Sequence, residues 1–280
     1  MHIKIENDEL NVNLHHTVNE MPNATEFERH CHGMVELIYV VRGKGVYIVE
    51  GAEYPLLPNT VLLLRPYEYH YVCPEKACPY ERYVIHFEGS VPFNADKTLE
   101  GFLASDREVG AGVYFSDKTV DTAIRHAFES LDSLQQFWSE QKGIDLGGRI
   151  LLRAIVTQIL LLLGAARSEE RVLPEENILS GVIGYINEHL EESLSLDELS
   201  RRFFVSKYHL CRAFRQYMGT TFLSYLTTKR VAMAQRLIEE GEAATEVAYR
   251  VGFRDYSSFY RAYRKQTGRA PAWERRPASD

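Results

Sequence analysis

One pattern occurs twice near the C-terminus, and the two copies lie 49 residues apart. Leu210–Gly219 and Phe259–Gly268 share an apolar residue, Arg, Ala, an aromatic residue, Arg and a closing Gly in the same places. A second pair, Leu199-Ser200 and Val247-Ala248, precedes the copies with a spacing of 48, so one residue has been added in the intervening turn. Because a repeated unit implies a repeated role, the sequence predicts two copies of one small helical motif.

Each copy has the local signals of two helices joined by a tight turn. In the first, Ser195 begins a helix with the Ser-x-x-Glu capping pattern, and Val205-Ser206 is the predicted turn, with Ser206 capping the next helix. In the second, Gly252-Phe253 is the predicted turn and Asp255 is the cap. A long helix, Phe222 to Glu240, connects them, so the sequence predicts two helix-turn-helix units.

The outer face of the second helix in each unit carries residues suited to duplex DNA. Arginine bonds guanine bidentately, and basic side chains attract the phosphates of any sequence. Arg212 and Arg261 occupy the same place in both copies, which favours a shared role, whereas packing in the core stays open for Tyr208 and Tyr260. The predicted DNA-binding residues are Lys207, Tyr208, His209, Cys211, Arg212 and Arg215, and then Tyr256, Ser257, Ser258, Tyr260, Arg261 and Arg264.

Charge is distributed unevenly along the chain. The formal net charge is −7, but residues 1–175 contain 16 basic and 26 acidic side chains, a net charge of −10. Residues 201–276 contain 16 basic and 6 acidic side chains, a net charge of +10. Such asymmetry indicates that the C-terminal half meets a polyanion.

The N-terminal half reads as β structure followed by helices. Short β-rich runs separated by Gly and Pro turns predict a sandwich or small barrel. Two helices follow, and the second, Arg149 to Ala166, is apolar on most of its circumference, so either the same chain or a homodimer partner covers it. The predicted domains are 1–166, a polar linker at 167–177, and 178–276. The β-rich runs are Leu10–Val18, Glu36–Val41, Gly45–Val49, Glu53–Leu57, Thr60–Leu64, His70–Cys73 and Tyr80–Phe87.

A histidine-rich motif lies within this half. His30-x-His32-x3-Glu36 is followed by Gly43, and a later segment supplies His70. The spacing resembles the motifs of the cupin barrel, a jelly-roll family, and in metal-binding cupins the matching positions imply His30, His32, Glu36 and His70 as ligands. Three imidazoles and a carboxylate suit Zn, Fe, Ni or Mn. Three interpretations stay open: a divalent metal site, a metal-free pocket for a small molecule, or side chains that only form hydrogen bonds within the barrel.

Cysteine usage and hydropathy favour the cytoplasm. The four cysteines are sparse and form no C-x-x-C pair, which is typical of a reducing compartment. The N-terminus lacks the apolar core of a signal peptide, and the most apolar run, Ile150 to Ala166, is short of the ~20 residues that span a bilayer.

The C-terminal hundred residues closely resemble the AraC-type transcription regulators. That resemblance implies two units on one rigid helix that read adjacent major grooves, with base contacts from Tyr208, Cys211, Arg212, Tyr256, Ser257, Tyr260 and Arg261. The departures are Cys211, where members often have Gln, Ser200 in place of a usual Ala, and Glu274 in place of an aromatic residue. The residues that carry the resemblance are Ser206, Leu210, Arg212, Phe214, Gly219, Phe222, Arg230, Val247-Ala248, Val251-Gly252-Phe253, Asp255, Ser258-Phe259, Gly268 and Pro271.

The expected fold is therefore two-domain: an N-terminal all-β cupin or jelly-roll barrel with added helices, and a C-terminal all-α double helix-turn-helix. The expected function is an effector-responsive, sequence-specific DNA-binding regulator and not an enzyme. The expected partners are double-stranded DNA, a small-molecule effector such as a sugar, RNA polymerase and a second copy of the chain; no cofactor is required. The alternatives are a metal-dependent cupin isomerase or dioxygenase, and a sugar-binding module with a degenerate DNA-binding domain.

Overall fold

A computed structural model describes residues 2–7, 12–23, 27, 29–87, 113–116, 118, 120, 122–140, 146–166 and 178–271 of the chain. It divides into two compact units. The first contains the strands and two helices, and the second contains the remaining helices together with the short segments Arg29–Gly33 and Tyr67–His70. The predicted linker at 167–177 lies outside the described residues. None of the helices described has the length and apolar character that crossing a bilayer requires.

The described residues of the first unit form nine strands in two sheets. The larger sheet has the order β1-β2-β8-β3-β6-β9, and the smaller has the order β5-β4-β7. Neighbours in the larger sheet pair antiparallel, as do β4 and β5. The strands are β1 (His2–Asn7), β2 (Val12–Asn19), β3 (Val35–Arg42), β4 (Gly45–Val49), β5 (Ala52–Leu56), β6 (Thr60–Leu64), β7 (His70–Pro74), β8 (Tyr80–Phe87) and β9 (Val113–Phe115).

The central strand β3 contributes to two different cores. Alternate residues of a strand point to opposite faces of the sheet. Leu37 and Tyr39 belong to a core that includes residues of two helices, α1 (Thr122–Glu140) and α2 (Leu146–Ala166). Ile38 belongs to the core between the two sheets. Glu36 shares that inner face, so its carboxylate points toward the interior of the β structure.

Helix α2 is buried along one side only. Leu152, Val156 and Ile159 are fully buried against the sheet core. Ile150 is 61% exposed, and Leu151 and Leu161 are also exposed. The apolar circumference seen in the sequence is therefore only partly covered by the described residues.

Between residues 178 and 271 the second unit contains six helices. They are α3 (Ile178–Glu188), α4 (Leu196–Arg202), α5 (Lys207–Tyr217), α6 (Phe222–Glu239), α7 (Ala244–Arg250) and α8 (Tyr256–Thr267). Helices α4 and α5 form the first helix-turn-helix, and α7 and α8 form the second. The capping signals read from the sequence are present, since Ser195 accepts a hydrogen bond from the Glu198 N–H at 3.2 Å.

The connecting helix α6 takes part in both helix-turn-helix cores. Its N-terminal half buries Phe222 and Tyr225, whose rings lie 5.6 and 5.8 Å from Phe214 of α5. Its C-terminal half buries Val231, Ala234, Leu237 and Ile238 in one cluster with Val247, Ala248, Val251, Phe259 and Tyr263. The predicted fold class, a β-rich N-terminal half and a helical C-terminal half, is confirmed.

Candidate nucleic-acid interface and ligand site

Helix α5 begins with a side-chain cap at its exposed end. Ser206 is in an extended conformation, and its hydroxyl accepts a hydrogen bond from the His209 N–H at 3.2 Å. Such a cap satisfies one of the N–H groups that the first turn of a helix leaves without an intrahelical partner. It fixes the start of the helix, so the positions of Lys207, Tyr208 and His209 are defined by the fold.

Helix α8 has a stronger cap built from an acid. The Asp255 carboxylate accepts from the Ser258 N–H at 2.7 Å and from the Ser258 hydroxyl at 2.9 Å. The hydrogen bond from the Ser258 N–H is the main cause, and that from the Ser258 hydroxyl the next, of a lowered pKa of Asp255. Arg261 Nη2 lies 3.4 Å from the Ser258 hydroxyl. Ser258, which the sequence places among the DNA-binding residues, is therefore also part of the helix cap.

Most of the twelve predicted DNA-binding residues are exposed on these two helices. Tyr208 is 78% exposed, which excludes core packing for it. Tyr256 is half-buried with its ring 5.8 Å from Phe259, and its ring also lies 6.4 Å from that of Tyr260. The exposed residues are Lys207, Tyr208, His209, Arg212, Arg215, Ser257, Arg261 and Arg264, and the half-buried residues are Cys211, Tyr256, Ser258 and Tyr260.

Positive charge is available on the outer faces of α5 and α8. Lys207 pairs with Asp197 and so connects α5 to α4. Within the described parts of the chain, no carboxylate forms an ion pair with Arg212, Arg215 or Arg264. These guanidinium groups are therefore available to phosphates or base edges.

The turns of the two units share one backbone geometry. Val205 N–H donates to the Ser200 carbonyl at 3.1 Å, and Phe253 N–H donates to the Ala248 carbonyl at 3.0 Å. This six-residue closure places one residue in the left-handed region, Phe204 at φ 54° and Gly252 at φ 89°. The sequence places the first turn at Val205-Ser206, one residue later than the left-handed position.

Arg230 of α6 holds the second turn in place. Its Nη1 donates to the Gly252 carbonyl at 2.7 Å, its Nε to the Leu190 carbonyl at 2.9 Å, and its Nη2 to the Glu192 carbonyl at 2.5 Å. Burial lowers the pKa of Arg230. The sequence marks Arg230 only as a position of family resemblance, and its three partners are too distant in sequence to be inferred.

The four residues of the histidine motif are brought together. One ligand atom from each of His30, His32, Glu36 and His70 lies within 4.8 Å of the others. His30 and His70 exchange backbone hydrogen bonds of 3.2 and 2.9 Å. Glu36 and His70 are buried, whereas His32 is half-buried and His30 exposed.

The hydrogen bonding of His70 suits a ligand. Its Nδ1 lies 2.8 Å from the Glu68 carbonyl, so this nitrogen is the one that carries the proton in the neutral ring. The lone pair is then on Nε2, and a backbone carbonyl on the other nitrogen is the usual orienting partner of a metal-bound imidazole. The donor set and this orientation fit a divalent transition metal.

A second polar group lies on the inner face of the β structure, and the sequence reasoning missed it. The hydroxyls of Tyr47 and Tyr80 are 2.6 Å apart. The Arg82 guanidinium lies over the Tyr80 ring at 4.3 Å and donates to Asn19 Oδ1 at 2.6 Å. Burial raises the pKa of both tyrosines, so both hydroxyls stay protonated. Tyr47 and Tyr80 are buried, whereas Arg82 and Asn19 are half-buried, so the guanidinium and the amide are the groups that a small polar molecule can reach.

Comparisons with known proteins match both halves of the chain. The family model of the AraC-like ligand binding domain matches residues 19–147, and that of a helix-turn-helix domain matches residues 199–276. Together these matches define a DNA-binding transcription regulator with an N-terminal ligand-binding domain. The interpretation as a metal-dependent enzyme is set aside, because the curated relatives are transcription regulators. The chain belongs to the AraC family.

Individual relatives are distant in sequence. The chain is 24% identical to the HTH-type transcriptional activator RhaS of Escherichia coli strain SMS-3-5 over 253 residues, which are 90% of this chain and 88% of RhaS. The DNA-binding domain of AdpA, solved with a target DNA, is 35% identical and covers 34% of this chain and 87% of its own, with a TM-score of 0.33. ToxT from Vibrio cholerae O395 is 10% identical and covers 94% of this chain and 96% of its own, with a TM-score of 0.41.

Proposed function

We propose that this regulator recognises one specific duplex sequence by placing α5 and α8 in successive major grooves. The observation that carries the proposal is the repeated geometry of the two helices. Each has a side-chain cap at its N-terminus, and each presents an exposed arginine, Arg212 or Arg261, at the same repeat position. In helix-turn-helix proteins the N-terminal part of the second helix contacts base edges in this way.

Selection of bound duplexes from a random pool tests this proposal. The parent protein is expected to enrich one sequence, and binding is expected to weaken steeply with salt because phosphates are neutralised. Arg212→Ala and Arg261→Ala are each expected to cost about 1–3 kcal/mol and to relax the preference at one base position.

Arg250→Ala is the matched control, since its guanidinium is already paired with Glu242 at 2.6 and 2.8 Å. It removes the same charge and is expected to leave the selected sequence unchanged. Two arginine variants that bind the selected site as tightly as the parent protein would show that these residues are not the readers.

We also propose that a small polar molecule, of which a sugar is the best match, binds on the inner face of the β structure. The support is the group formed by Tyr47, Tyr80, Arg82 and Asn19. Calorimetry with a panel of monosaccharides is expected to find one binder, and Arg82→Gln is expected to weaken it. If the Arg82→Gln protein binds the monosaccharide as strongly as the parent protein, the effector does not bind at this group.

We further propose that His30, His32, Glu36 and His70 hold a divalent metal ion. A bound ion would supply a fixed positive charge and open coordination positions for an oxygen-rich ligand. The support is the convergence of their ligand atoms within 4.8 Å and the orientation of His70.

Metal analysis of untagged protein after equilibration with zinc tests the metal proposal. About one ion per chain is expected, with loss in a His32→Ala, His70→Ala double variant. His126→Ala, which changes an exposed histidine of α1, is the control and is expected to keep the ion. Absence of stoichiometric metal in the parent protein would leave the motif as part of a metal-free pocket.

A second copy of the chain is the proposed partner of α2. The support is its exposed apolar side, with Ile150 at 61% and Leu161 at 47% exposure beside Ala154 and Leu162. Sedimentation is expected to show a dimer that Leu161→Glu converts to a monomer. A monomeric parent protein at micromolar concentration would refute this.

RNA polymerase is the proposed partner on DNA, and the cytoplasm is the proposed compartment. RhaS is named a transcriptional activator, and activation requires contact with the transcription machinery. The sequence contains four cysteines in 280 residues and no C-x-x-C pair, a usage that supports a reducing compartment. Transcription in a purified system, with the selected site placed upstream of a promoter, tests this.

A further inference from the structure

An aromatic residue occupies the left-handed position in the first helix-turn-helix turn. Phe204 has φ 54°, and among the described residues of 178–271 it is the one residue other than glycine with a positive φ. This region is unfavourable for residues with a Cβ, and a bulky side chain there is an outlier that calls for an explanation. An observed outlier of this kind is grounds for a functional hypothesis.

The fold itself does not require a side chain at this position. The equivalent residue of the second unit is Gly252, and both turns close through the same backbone hydrogen bond. The Phe204 side chain is 96% exposed, so it contributes almost no packing within the chain. The ring therefore makes the backbone less favourable and receives no compensating burial.

The surroundings of Phe204 indicate what covers the ring. The turn lies directly before Ser206, the cap of α5, and Tyr208 follows at 78% exposure. Helix α4 ends with exposed Arg201 and Arg202 beside it. The Arg202 guanidinium lies over the Tyr185 ring at 4.0 Å, and both arginines precede Phe204 by two or three residues. An exposed apolar ring that follows two arginines in the chain and precedes a recognition helix complements a DNA strand, where deoxyribose lies between phosphates.

We propose that Phe204 packs against the deoxyribose of the DNA strand bordering the first half-site. This inference rests on the proposed function, since it requires α5 in the major groove. In that placement the turn before α5 lies beside the sugar–phosphate backbone. The arginines at the end of α4 contact the phosphates and the ring covers the sugar between them. The contact with the DNA backbone thus adds affinity to the first helix-turn-helix. Its base contacts from α5 are weaker, because Cys211 replaces a stronger hydrogen-bonding residue.

The test compares Phe204→Asn with the parent protein on the duplex selected by the full-length chain. Asparagine adopts the left-handed conformation more readily, so the thermal midpoint is expected to rise by about 1–4 °C. The dissociation constant is expected to increase about three- to tenfold, as expected when half of a phenylalanine side chain is no longer removed from water. Stability and affinity thus change in opposite directions, which misfolding cannot imitate.

Two further readouts identify the contact. The slope of log Kd against log salt is expected to stay unchanged, because no phosphate contact is lost, whereas losing a charged contact reduces it by about one. Hydroxyl-radical cleavage, which attacks deoxyribose, is expected to show lost protection at the edge of the first half-site only. Tyr249→Asn, which removes another exposed aromatic ring, in α7 of the second helix-turn-helix, is the control and is expected to leave the protection at the first half-site unchanged.

The outcomes separate this proposal from the proposed function. A parent protein that selects no duplex, or one whose binding is insensitive to Arg212→Ala, contradicts the proposed function. If the parent protein selects a duplex normally and Phe204→Asn binds it within twofold of the parent affinity, only the proposal of the Phe204 contact is wrong. If transcription in the purified system then still falls, the ring meets a protein partner. If Phe204→Asn loses affinity and its slope of log Kd against log salt is also reduced, the Phe204 proposal is wrong as well, since the ring would then act through a neighbouring cation.

Discussion

The two helix-turn-helix motifs share one backbone conformation at their turns, but different side chains stabilise the two turns. The second turn uses Gly252, and Arg230 covers it with hydrogen bonds to three backbone carbonyls. The first turn uses Phe204 in the same left-handed conformation, and the Ser200 hydroxyl donates to the Val205 carbonyl at 2.5 Å. Ala248, the counterpart of Ser200, has no hydroxyl to make this bond.

This difference shows that duplication preserved the backbone while the side chains diverged by role. The second turn is enclosed, so glycine is required there for space as well as for conformation. The first turn is open, so a side chain is tolerated and can serve as a contact. An internal repeat therefore predicts geometry better than it predicts which residues are structural.

Arg230→Ala is expected to cause the largest loss of stability, because it acts on the turn of the second helix-turn-helix. Removing the guanidinium leaves the carbonyls of Leu190, Glu192 and Gly252 without their donor. The free energy of unfolding is expected to fall by about 3 kcal/mol, measured by urea denaturation. Arg254→Ala, an exposed charge in the same turn, is the control and is expected to cost less than about 0.5 kcal/mol. Equal losses would show that Arg230 does not hold the turn.

Gly252→Ala is expected to be the next largest change. An added Cβ would lie 2.6 Å from Arg230 Nη2 and 2.9 Å from the Leu190 carbonyl oxygen, at φ 89°. Left-handed backbone costs a residue with a Cβ about 1–2 kcal/mol, so thermal unfolding is expected to shift downward. Gly184→Ala places the same Cβ in α3 with nothing within 4 Å and is expected to stabilise by about 0.5–1 kcal/mol. A Gly252→Ala protein that unfolds at the same temperature as the parent protein would show that the second turn is not enclosed.

Local and long-range features differed in how well the sequence predicted them. Ser195, Ser206 and Asp255 were predictable as caps because a cap depends on residues three positions apart. The convergence of His30, His32, Glu36 and His70 was predictable from the spacing of the cupin motifs, whereas strand alternation does not place His30 and His32, which precede β3. The role of Arg230 was not, since its acceptors lie 22 to 40 positions away. Nor was the conformation of Phe204, because local preference opposes it.

The two recognition-helix caps are expected to respond differently to pH. Hydrogen bonds hold the pKa of Asp255 below its ordinary 3.8 in the folded protein. Its contribution is therefore complete above that value and is lost as the pH falls through the folded pKa. The stability gap between the parent protein and Asp255→Asn is expected to narrow from pH 5 downward. Ser206→Ala is expected to cost about 1 kcal/mol at every pH. Urea denaturation across this range measures both, and parallel curves would contradict the assignment.

The smallest expected effect concerns Cys211 and tests whether the two units read DNA equally. A thiol is a weak hydrogen-bonding group, and Cys211 is half-buried on α5. Cys211→Ala is therefore expected to change the dissociation constant less than about twofold, whereas Tyr260→Ala at the equivalent position of α8 is expected to cost about fivefold or more. Cys211→Gln is expected to restore reading by the first unit and to add an adenine preference at one position, because glutamine bonds adenine bidentately. Equal losses in the two alanine variants would show that both units read their grooves alike, and that the asymmetry of the turns does not extend to recognition.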